Sequence, residues 1–205
     1  MRWLILVYFL AMCTPASTQE IDSIFYGTGQ LKGYGRILEN VEDGKWIYFY
    51  PHGDSSAVLH YREGQLHGVQ KYYANNGQVI AIENWQNDLL EDSSHYYHPN
   101  GKLEKKGLFQ DGLHKGKWVF YYETGVLKRE GAYEYGTPQN EWSFYFENGQ
   151  LNQRGLMKDG KEEGLWEYFD QDGNKTYEGR WQGGEKVGTW YYFRKGKKKI
   201  WKRFD

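Results

Sequence analysis

The sequence repeats itself every 24 residues, and this period limits the possible folds more than any other feature. Asp92 and Asn140 occupy two points of the 24-residue grid, and both residue types tolerate a positive φ better than most others. Glycine occupies the other five grid points, Gly44, Gly68, Gly116, Gly164 and Gly188. No insertion or deletion interrupts the grid from residue 44 to residue 188. A period of this length is typical of small structural units stacked side by side along the chain.

Each repeat reads as a β-hairpin. Two aromatic residues lie four and five positions after every grid point, from Tyr48 and Phe49 in the first unit onward. A turn signal such as Asn148-Gly149 follows, and Asn-Gly is a strong hairpin signal between two strands. A second strand then ends at a further glycine turn. The pattern predicts an all-β fold, an elongated, twisted, single antiparallel sheet of tandem 24-residue β-hairpin repeats. About fifteen strands at roughly 4.8 Å each would make a ribbon on the order of 70 Å long.

Strand alternation predicts how the aromatic rings are distributed. Successive side chains point to opposite faces, so the tryptophan two positions after a grid point shares a face with the first aromatic residue of the pair. Glycines such as Gly107 and Gly131 recur inside the second strand. A glycine there leaves room for a neighbouring ring to lie across the backbone. We therefore expect ladders of stacked rings with the glycine column as their seat, each ring pair adding about 0.5–1.5 kcal/mol.

The ends of the chain differ from its middle. Residues 1–18 are predicted to be a signal peptide, because Met1-Arg2 precedes an apolar stretch of ten residues that is too short to span a bilayer. Residues 20–43 read as a degenerate repeat, 44–187 as six full repeats, and 188–205 as a partial capping repeat. Export to the periplasm, the cell surface or the medium is therefore expected. An uncleaved anchor and a lipidated Cys13, the single cysteine, are the alternatives.

The second strand of each unit carries a motif that resembles a known family. Tyr177-Glu178-Gly179-Arg180-Trp181 with Gly184 and Gly188 is similar to the MORN repeat, Tyr-x-Gly-x-aromatic-x-x-Gly-x-x-x-Gly. The added Trp-x-aromatic-aromatic segment resembles the variant in proteins called YwqK-family antitoxins. This resemblance implies an elongated sheet of hairpins that serves as a scaffold, in some cases with lipid binding. The antitoxin name implies a partner protein. The signal sequence argues against a cytoplasmic toxin as that partner.

No catalytic, metal or cofactor site is expected. The net charge of −1 gives no overall field for nucleic acid, which we do not expect as a partner. His95 and His98 are three residues apart, so a strand would place them on opposite faces. The six histidines are read as solvated residues at turns and strand ends. We therefore predict that the protein is not an enzyme.

The predicted function is a non-catalytic exported scaffold that binds a partner protein through its aromatic hairpins. A cell-wall glycan binder or an anionic-lipid binder is the alternative, and the oligomeric state is left open. The regular half of the array supplies the candidate contact residues Trp118, Tyr121, Trp142, Tyr145, Trp166, Tyr168, Trp181, Trp190 and Tyr192. The basic C-terminal run supplies candidate lipid or polymer contacts at Arg194, Lys195, Lys197, Lys198 and Lys199. A solvated cap that blocks edge pairing is the other interpretation of this run.

Overall fold

The computed structural model describes residues 20–205, which form short β-strands and turns. The predicted signal peptide and Cys13 lie outside the described residues. Within residues 20–205 there is no helix, and hence none long and apolar enough to cross a membrane. The strands are β1 (Glu20–Phe25), β2 (Leu31–Leu38), β3 (Val41–Phe49), β4 (Ser55–Arg62), β5 (Gln65–Leu66), β6 (Gly68–Tyr73), β7 (Val79–Gln86), β8 (Leu89–Leu90), β9 (Asp92–Tyr97), β10 (Leu103–Gln110), β11 (Leu113–Tyr121), β12 (Leu127–Glu134), β13 (Thr137–Tyr145), β14 (Leu151–Lys158), β15 (Lys161–Phe169), β16 (Lys175–Gln182), β17 (Glu185–Arg194) and β18 (Lys197–Phe204).

All eighteen strands belong to one open antiparallel sheet in chain order. The two-residue strands β5 and β8 are the beginnings of interrupted strands, because β4 pairs with both β5 and β6, and β7 pairs with both β8 and β9. Counting each interrupted strand once leaves sixteen strands, eighteen less two. The predicted fold class, a single antiparallel sheet of tandem hairpins, is confirmed. The division of the chain into numbered repeats stays a prediction.

Within a repeat, the two strands are joined by a three-residue turn that ends in glycine. In one such turn the Gly77 N–H donates to the Ala74 carbonyl at 2.9 Å, and the Ala74 N–H donates to the Gln78 carbonyl at 2.8 Å. Gly77 has a φ of +77°. This arrangement is a type I turn followed by a left-handed residue. Asn76 stabilises the turn through its side chain, because its Oδ1 accepts the Gln78 N–H at 3.1 Å.

Between repeats, a two-residue turn joins one hairpin to the next. Glu63 and Gly64 have φ values of +52° and +78°, and the flanking residues Arg62 and Gln65 pair directly. Two successive positive φ values define a type I′ turn, whose twist matches that of the strands it joins. A link this short fixes the register of neighbouring hairpins.

The grid positions share a left-handed backbone. Asp92 and Asn140 both have a φ of +63°, the same value as Gly188. Each grid residue lies at the start of, or within, the strand that carries the tryptophan position. The prediction that Asp92 and Asn140 replace glycine at a positive φ is therefore confirmed.

The core of the sheet is a column of side chains two positions after each grid point. Its five tryptophans, Trp46, Trp118, Trp142, Trp166 and Trp190, are 0–3% exposed. Each ring lies flat on a glycine of the preceding strand. A Cβ added to Gly131 would stand 2.1 Å from Trp142 Cδ2, and one added to Gly107 would stand 2.3 Å from Trp118 Cδ2. The glycine column is therefore the surface on which the tryptophan rings lie. We call the position that each ring covers in the preceding strand its seat.

Where the tryptophan is absent, the glycine is absent too. Gln70 and Ser94 occupy the tryptophan position and are 0% exposed, and Leu59 and Glu83 occupy the matching seats. The Gln70 amide is held by the backbone of His60, whose N–H donates to Oε1 at 2.6 Å and whose carbonyl accepts from Nε2 at 3.0 Å. A residue smaller than tryptophan leaves room for a side chain on the seat. We call this pairing the seat rule: a seat takes either glycine with tryptophan, or a side chain with a smaller residue.

Candidate binding surfaces

The sheet has two faces of different chemistry. The indole face carries the buried tryptophans and the first aromatic residue of each pair, as shown by ring distances of 6.0 Å for Trp142–Phe144 and 6.5 Å for Trp166–Tyr168. The opposite face carries the second aromatic residue of each pair. Of the predicted contact residues, only Tyr121 and Tyr145 lie on the opposite face. One partner on one face therefore cannot contact the whole predicted set.

Four of the predicted contact residues are buried and cannot contact a partner. Trp118, Trp142, Trp166 and Trp190 are 0–3% exposed, and their indole N–H groups are used inside the sheet. Trp118 Nε1 donates to the Leu108 carbonyl at 3.0 Å, for example. A partner could reach these rings only after displacing the side chains that cover them. We therefore correct their assignment: they hold the sheet together. A contact role for the half-buried Tyr121, Tyr145, Tyr168, Trp181 and Tyr192 stays a prediction.

The rings of the indole face form a continuous series through the C-terminal half of the sheet. Tyr133 bridges Trp118 and Trp142 with centroid distances of 6.3 and 5.2 Å. The series continues from Phe144 to Trp166 at 6.2 Å and from Tyr168 to Trp190 at 5.9 Å. Each contact lies in the range in which aromatic pairs attract one another. The rings thereby couple each repeat of the C-terminal half to the next.

In the N-terminal half a polar cluster replaces this series. The carboxylate of Glu83, which occupies a seat, accepts the Tyr96 hydroxyl at 2.8 Å and the Trp85 Nε1–H at 2.9 Å. Burial, together with the Glu83 charge, raises the pKa of Tyr72 to about 12. Burial and the hydrogen bond to Glu83 also raise the pKa of Tyr96. The raised pKa values keep both phenols protonated, and the Tyr96 hydroxyl donates to the half-buried Glu83 carboxylate.

At the C-terminal end the indole face opens into an aromatic cleft. It has a volume of about 510 Å³ and is lined mainly by rings, with Tyr177 and Trp201 39% and 46% exposed at its rim. Trp201 lies edge-on to Tyr177 at 5.4 Å and to Trp190 at 6.2 Å. Trp181 lies edge-on to Trp190 at 5.6 Å. We call this site the C-terminal cleft.

Lys186 supplies the charge of the C-terminal cleft. Its ammonium lies 4.5 Å from the ring centre of Trp190, and 5.3 and 5.5 Å from those of Trp201 and Trp181. Rings attract a cation held over their faces. The cleft therefore presents a positive charge held over aromatic rings, an arrangement that suits an anionic group attached to an apolar one.

The opposite face is charged and its ion pairs are linked. Glu167 accepts from Arg154 at 2.6 Å and also from Lys175, which reaches Glu178 at 3.0 Å. The hydrogen bond from Lys175, followed by that from Arg154, lowers the pKa of Glu167. Lys198 extends the chain of pairs to Glu178 at 2.5 Å. These carboxylates are compensated by basic neighbours and stay ionised.

The predicted basic run lies at the end of β17, in the last turn and in β18. Of its members only Lys198 has an acidic partner among residues 20–205, and its ammonium also lies 3.9 Å from the ring centre of Tyr191. Within that range the other predicted members, Arg194, Lys195, Lys197 and Lys199, are exposed and make no ion pair. The unpaired members of the run are therefore accessible to an anionic partner, whereas the Lys198 ammonium is already paired with Glu178.

The expectation for the histidines is wrong for His114. Its ring lies 4.0 Å from Trp118 and 4.8 Å from both Phe109 and Tyr133, inside the aromatic series. Burial, together with the charge of Lys105, lowers the pKa of His114. In residues 20–205 no group of three or more His, Cys, Asp or Glu side chains could hold a metal ion.

Sequence reasoning missed three members of the C-terminal cleft, Tyr177, Lys186 and Trp201. Tyr177 was visible as the tyrosine of the Tyr-x-Gly motif but was not singled out. The last hairpin turns at Lys195-Gly196, where the other repeats have a three-residue turn within the hairpin, so the register of β18 is shifted and Trp201 is not paired as Tyr177 is. No sequence signal marks Lys186 as the residue beneath the rings.

Comparison with known proteins agrees with the repeat architecture. A family described as the MORN repeat variant matches residues 66–87, 96–111, 115–135 and 138–159. No curated protein matches the chain. A solved structure described as TcdB2-TccC3-Cdc42 is similar at 13% sequence identity over 84% of this chain, with a TM-score of 0.20. This chain covers 13% of that chain, and such a distant similarity carries no argument. The protein is thus a β-hairpin repeat protein whose repeats are similar to the MORN repeat variant.

Proposed function

We propose that this protein is a non-catalytic, exported repeat scaffold that binds a partner protein in the C-terminal cleft. The observation that carries the proposal is the combination of exposed rings, Tyr177 and Trp201, with the ammonium of Lys186 in one concave site. Tryptophan, tyrosine and basic groups framed by aromatic rings are typical of the centres of protein interfaces. Repeat arrays of this kind are generally binding modules, and the linear sheet gives the cleft a rigid support.

The charge and the rings of the cleft indicate the chemistry of the partner segment that it would bind. An extended segment with an apolar side chain for Trp201 and an adjacent carboxylate for Lys186 would satisfy both features. A choline-type ligand fits less well, because the ammonium of Lys186 already occupies the cation position over the rings. A glycan with an acidic group has matching chemistry and is kept as an outcome of the experiment.

Photo-crosslinking tests this proposal at the correct positions. A photo-reactive phenylalanine analogue would replace Trp201 or Tyr177 in the full chain, because the buried Trp142 and Trp166 cannot reach a partner. Tyr135, 77% exposed and outside the cleft, serves as the control position. We expect one dominant crosslinked protein from the cleft positions and not from position 135. Recovery of the protein with purified cell wall and no crosslinked protein would contradict partner-protein binding.

Export is supported by the apolar N-terminal stretch after Arg2. The mass of the mature protein tests it directly. We expect cleavage near residue 18 and recovery outside the cytoplasm. An intact N-terminus in the cytoplasmic fraction would contradict export.

A second candidate function is binding to anionic lipid. The specific observation is the exposed basic strand β18, in which Ile200 is 54% exposed beside the lysines. Each basic residue near an anionic membrane contributes about 1 kcal/mol. Flotation with phosphatidylglycerol vesicles at low salt, lost when Lys197, Lys199 and Lys202 are changed to glutamine, would support it. No flotation of the unchanged protein would rule it out.

A further inference from the structure

The two edge strands of the sheet are candidates for intermolecular pairing. Among residues 20–205, β1 pairs with β2 alone and β18 pairs with β17 alone. An edge strand presents a row of backbone donors and acceptors to any strand that can approach it. Both edges also expose apolar side chains, since Ile21 and Phe25 are 74% and 60% exposed, and Ile200 is 54% exposed. These edges therefore have the surface chemistry of an interface.

The two edges carry opposite charges. β1 contains Glu20 and Asp22 and no basic residue. β18 contains five basic residues, Lys197, Lys198, Lys199, Lys202 and Arg203, and no acidic one. Two β18 edges would repel one another, as would two β1 edges. A β18 edge and a β1 edge attract each other, so the lysines that prevent pairing of like edges favour pairing of unlike ones.

The order of strands allows the sheet to continue from one copy to the next. With the interrupted strands counted once, β1 is the first of sixteen alternating strands and β18 the last, so the two run in opposite directions. β1 occupies the same repeat position as the tryptophan-bearing strands, with Asp22 at the tryptophan position. β18 occupies the position of the seat-bearing strands. A β1 from a second copy would therefore follow β18 as β17 follows β16.

The seat rule predicts which residues meet at this junction. Trp190 pairs with Lys202 just as Trp166 pairs with Gly179, so Lys202 occupies the seat of β18. A side chain on a seat excludes tryptophan from the next strand, as Leu59 and Glu83 do. Asp22 is smaller than tryptophan and also carries the charge opposite to that of Lys202. The junction thus obeys the rule that the chain follows internally.

We propose that copies of this protein associate end to end, with β18 of one copy pairing antiparallel with β1 of the next and Lys202 facing Asp22. In the same register Lys199 lies opposite Ile24, and Ile200 lies opposite Ser23. The two surfaces are different, so the contact is heterologous and generates open chains of copies. This inference uses backbone pairing at the free edges of β1 and β18 and does not require a partner in the C-terminal cleft, although Trp201 belongs to both β18 and that cleft.

Sedimentation velocity over a range of concentrations tests the proposal with the full chain. We expect the mean mass to rise with protein concentration and to fall with added salt, which screens the charges. Asp22→Lys and Lys202→Asp should each raise the apparent dissociation constant at least about tenfold. An equimolar mixture of the two variants should associate again, because each of their unlike edges then has a complementary partner.

Matched charge changes away from the edges control for the effect of net charge. Asp172→Lys lies in an exposed hairpin turn and Lys158→Asp at an exposed strand end, and both should leave association unchanged. A protein that stays monomeric at every concentration would overturn the proposal. So would association that survives both edge variants, or a mixture that fails to associate. A circular dichroism spectrum like that of the unchanged protein would show that each variant is folded.

Discussion

Replacing Gly131 with alanine tests the seat of the tryptophans. The new Cβ would stand 2.1, 2.2 and 2.6 Å from Cδ2, Cε2 and Cγ of Trp142. Ordinary carbon contacts are about 3.5–4.0 Å, so the buried ring would have to move by more than about 1 Å. The Trp142 Nε1–H bond to the Gln139 carbonyl, at 3.2 Å, would be disturbed by this movement.

The expected cost follows from these contacts. Overpacking of a buried site costs about 1–3 kcal/mol, and a weakened hydrogen bond adds up to about 1 kcal/mol. Gly131→Ala should therefore lower the free energy of unfolding by about 1–4 kcal/mol, as measured by urea unfolding followed by circular dichroism. Gly164→Ala is the control, because Gly164 has a φ of +68° and no atom within 4 Å of the added Cβ. It should cost about 1 kcal/mol or slightly more, from backbone strain alone.

The double variant separates the seat from a general preference for glycine. Trp142→Ser alone should cost about 3–5 kcal/mol, because a large buried ring is lost. Adding Gly131→Ala should then cost nothing further, since the pair reproduces the arrangement at Glu83 and Ser94. Additive costs in the double variant, or a Gly131→Ala protein within about 0.5 kcal/mol of the original, would refute the seat rule.

Three further predictions concern other parts of the sheet. Gly116, at a φ of +62°, should tolerate asparagine better than valine by at least about 1 kcal/mol in urea unfolding, because β-branched residues avoid the left-handed region; equal losses would contradict this. The pKa of Tyr72 is raised to about 12, so its contribution to stability is complete below the unfolded pKa near 10 and is lost as pH rises from about 10 to about 12. Tyr72→Phe should therefore reduce the loss of thermal stability over this range. An alkaline profile that is unchanged in the variant would contradict this prediction. The pKa of His114 is lowered, so its contribution to stability is complete above about pH 6.5 and stability should fall as pH drops below that value. His114→Phe should therefore flatten the dependence of stability on pH between about pH 7 and 5. An equally steep acidic decline in that variant would contradict the placement of His114.

Much of the fold could be predicted because the sequence specifies it locally. Gly77, Gly64 and Asp92 each occupy a position with a positive φ, and the residue types that tolerate this conformation are few. The 24-residue period then places the same turn in each repeat. Strand alternation predicted which rings share a face, and the ring contacts of Trp142 with Phe144 agree with it.

The binding surface was less predictable because alternation gives a direction and not an exposure. Trp118 and Trp142 are on the predicted face, but the rings and side chains around them leave almost no surface. His114 looked like a turn residue, yet its position in β11 brings it against the Trp118 ring. The C-terminal cleft depends on Trp201, whose strand pairing is shifted by the short last turn. To predict these positions, one would need the register in which neighbouring strands pair, and the repeat pattern does not give that register.

Small-angle X-ray scattering tests most directly whether the chain forms one open sheet of stacked hairpins. Sixteen strands spaced by about 4.8 Å give a length on the order of 70 Å and a radius of gyration of roughly 22 Å for a ribbon. A compact 205-residue domain would have a radius of gyration of about 17 Å. Measured on the Asp22→Lys variant and extrapolated to zero concentration, to separate shape from association, a value near 22 Å is predicted. A value near 17 Å would contradict the elongated sheet.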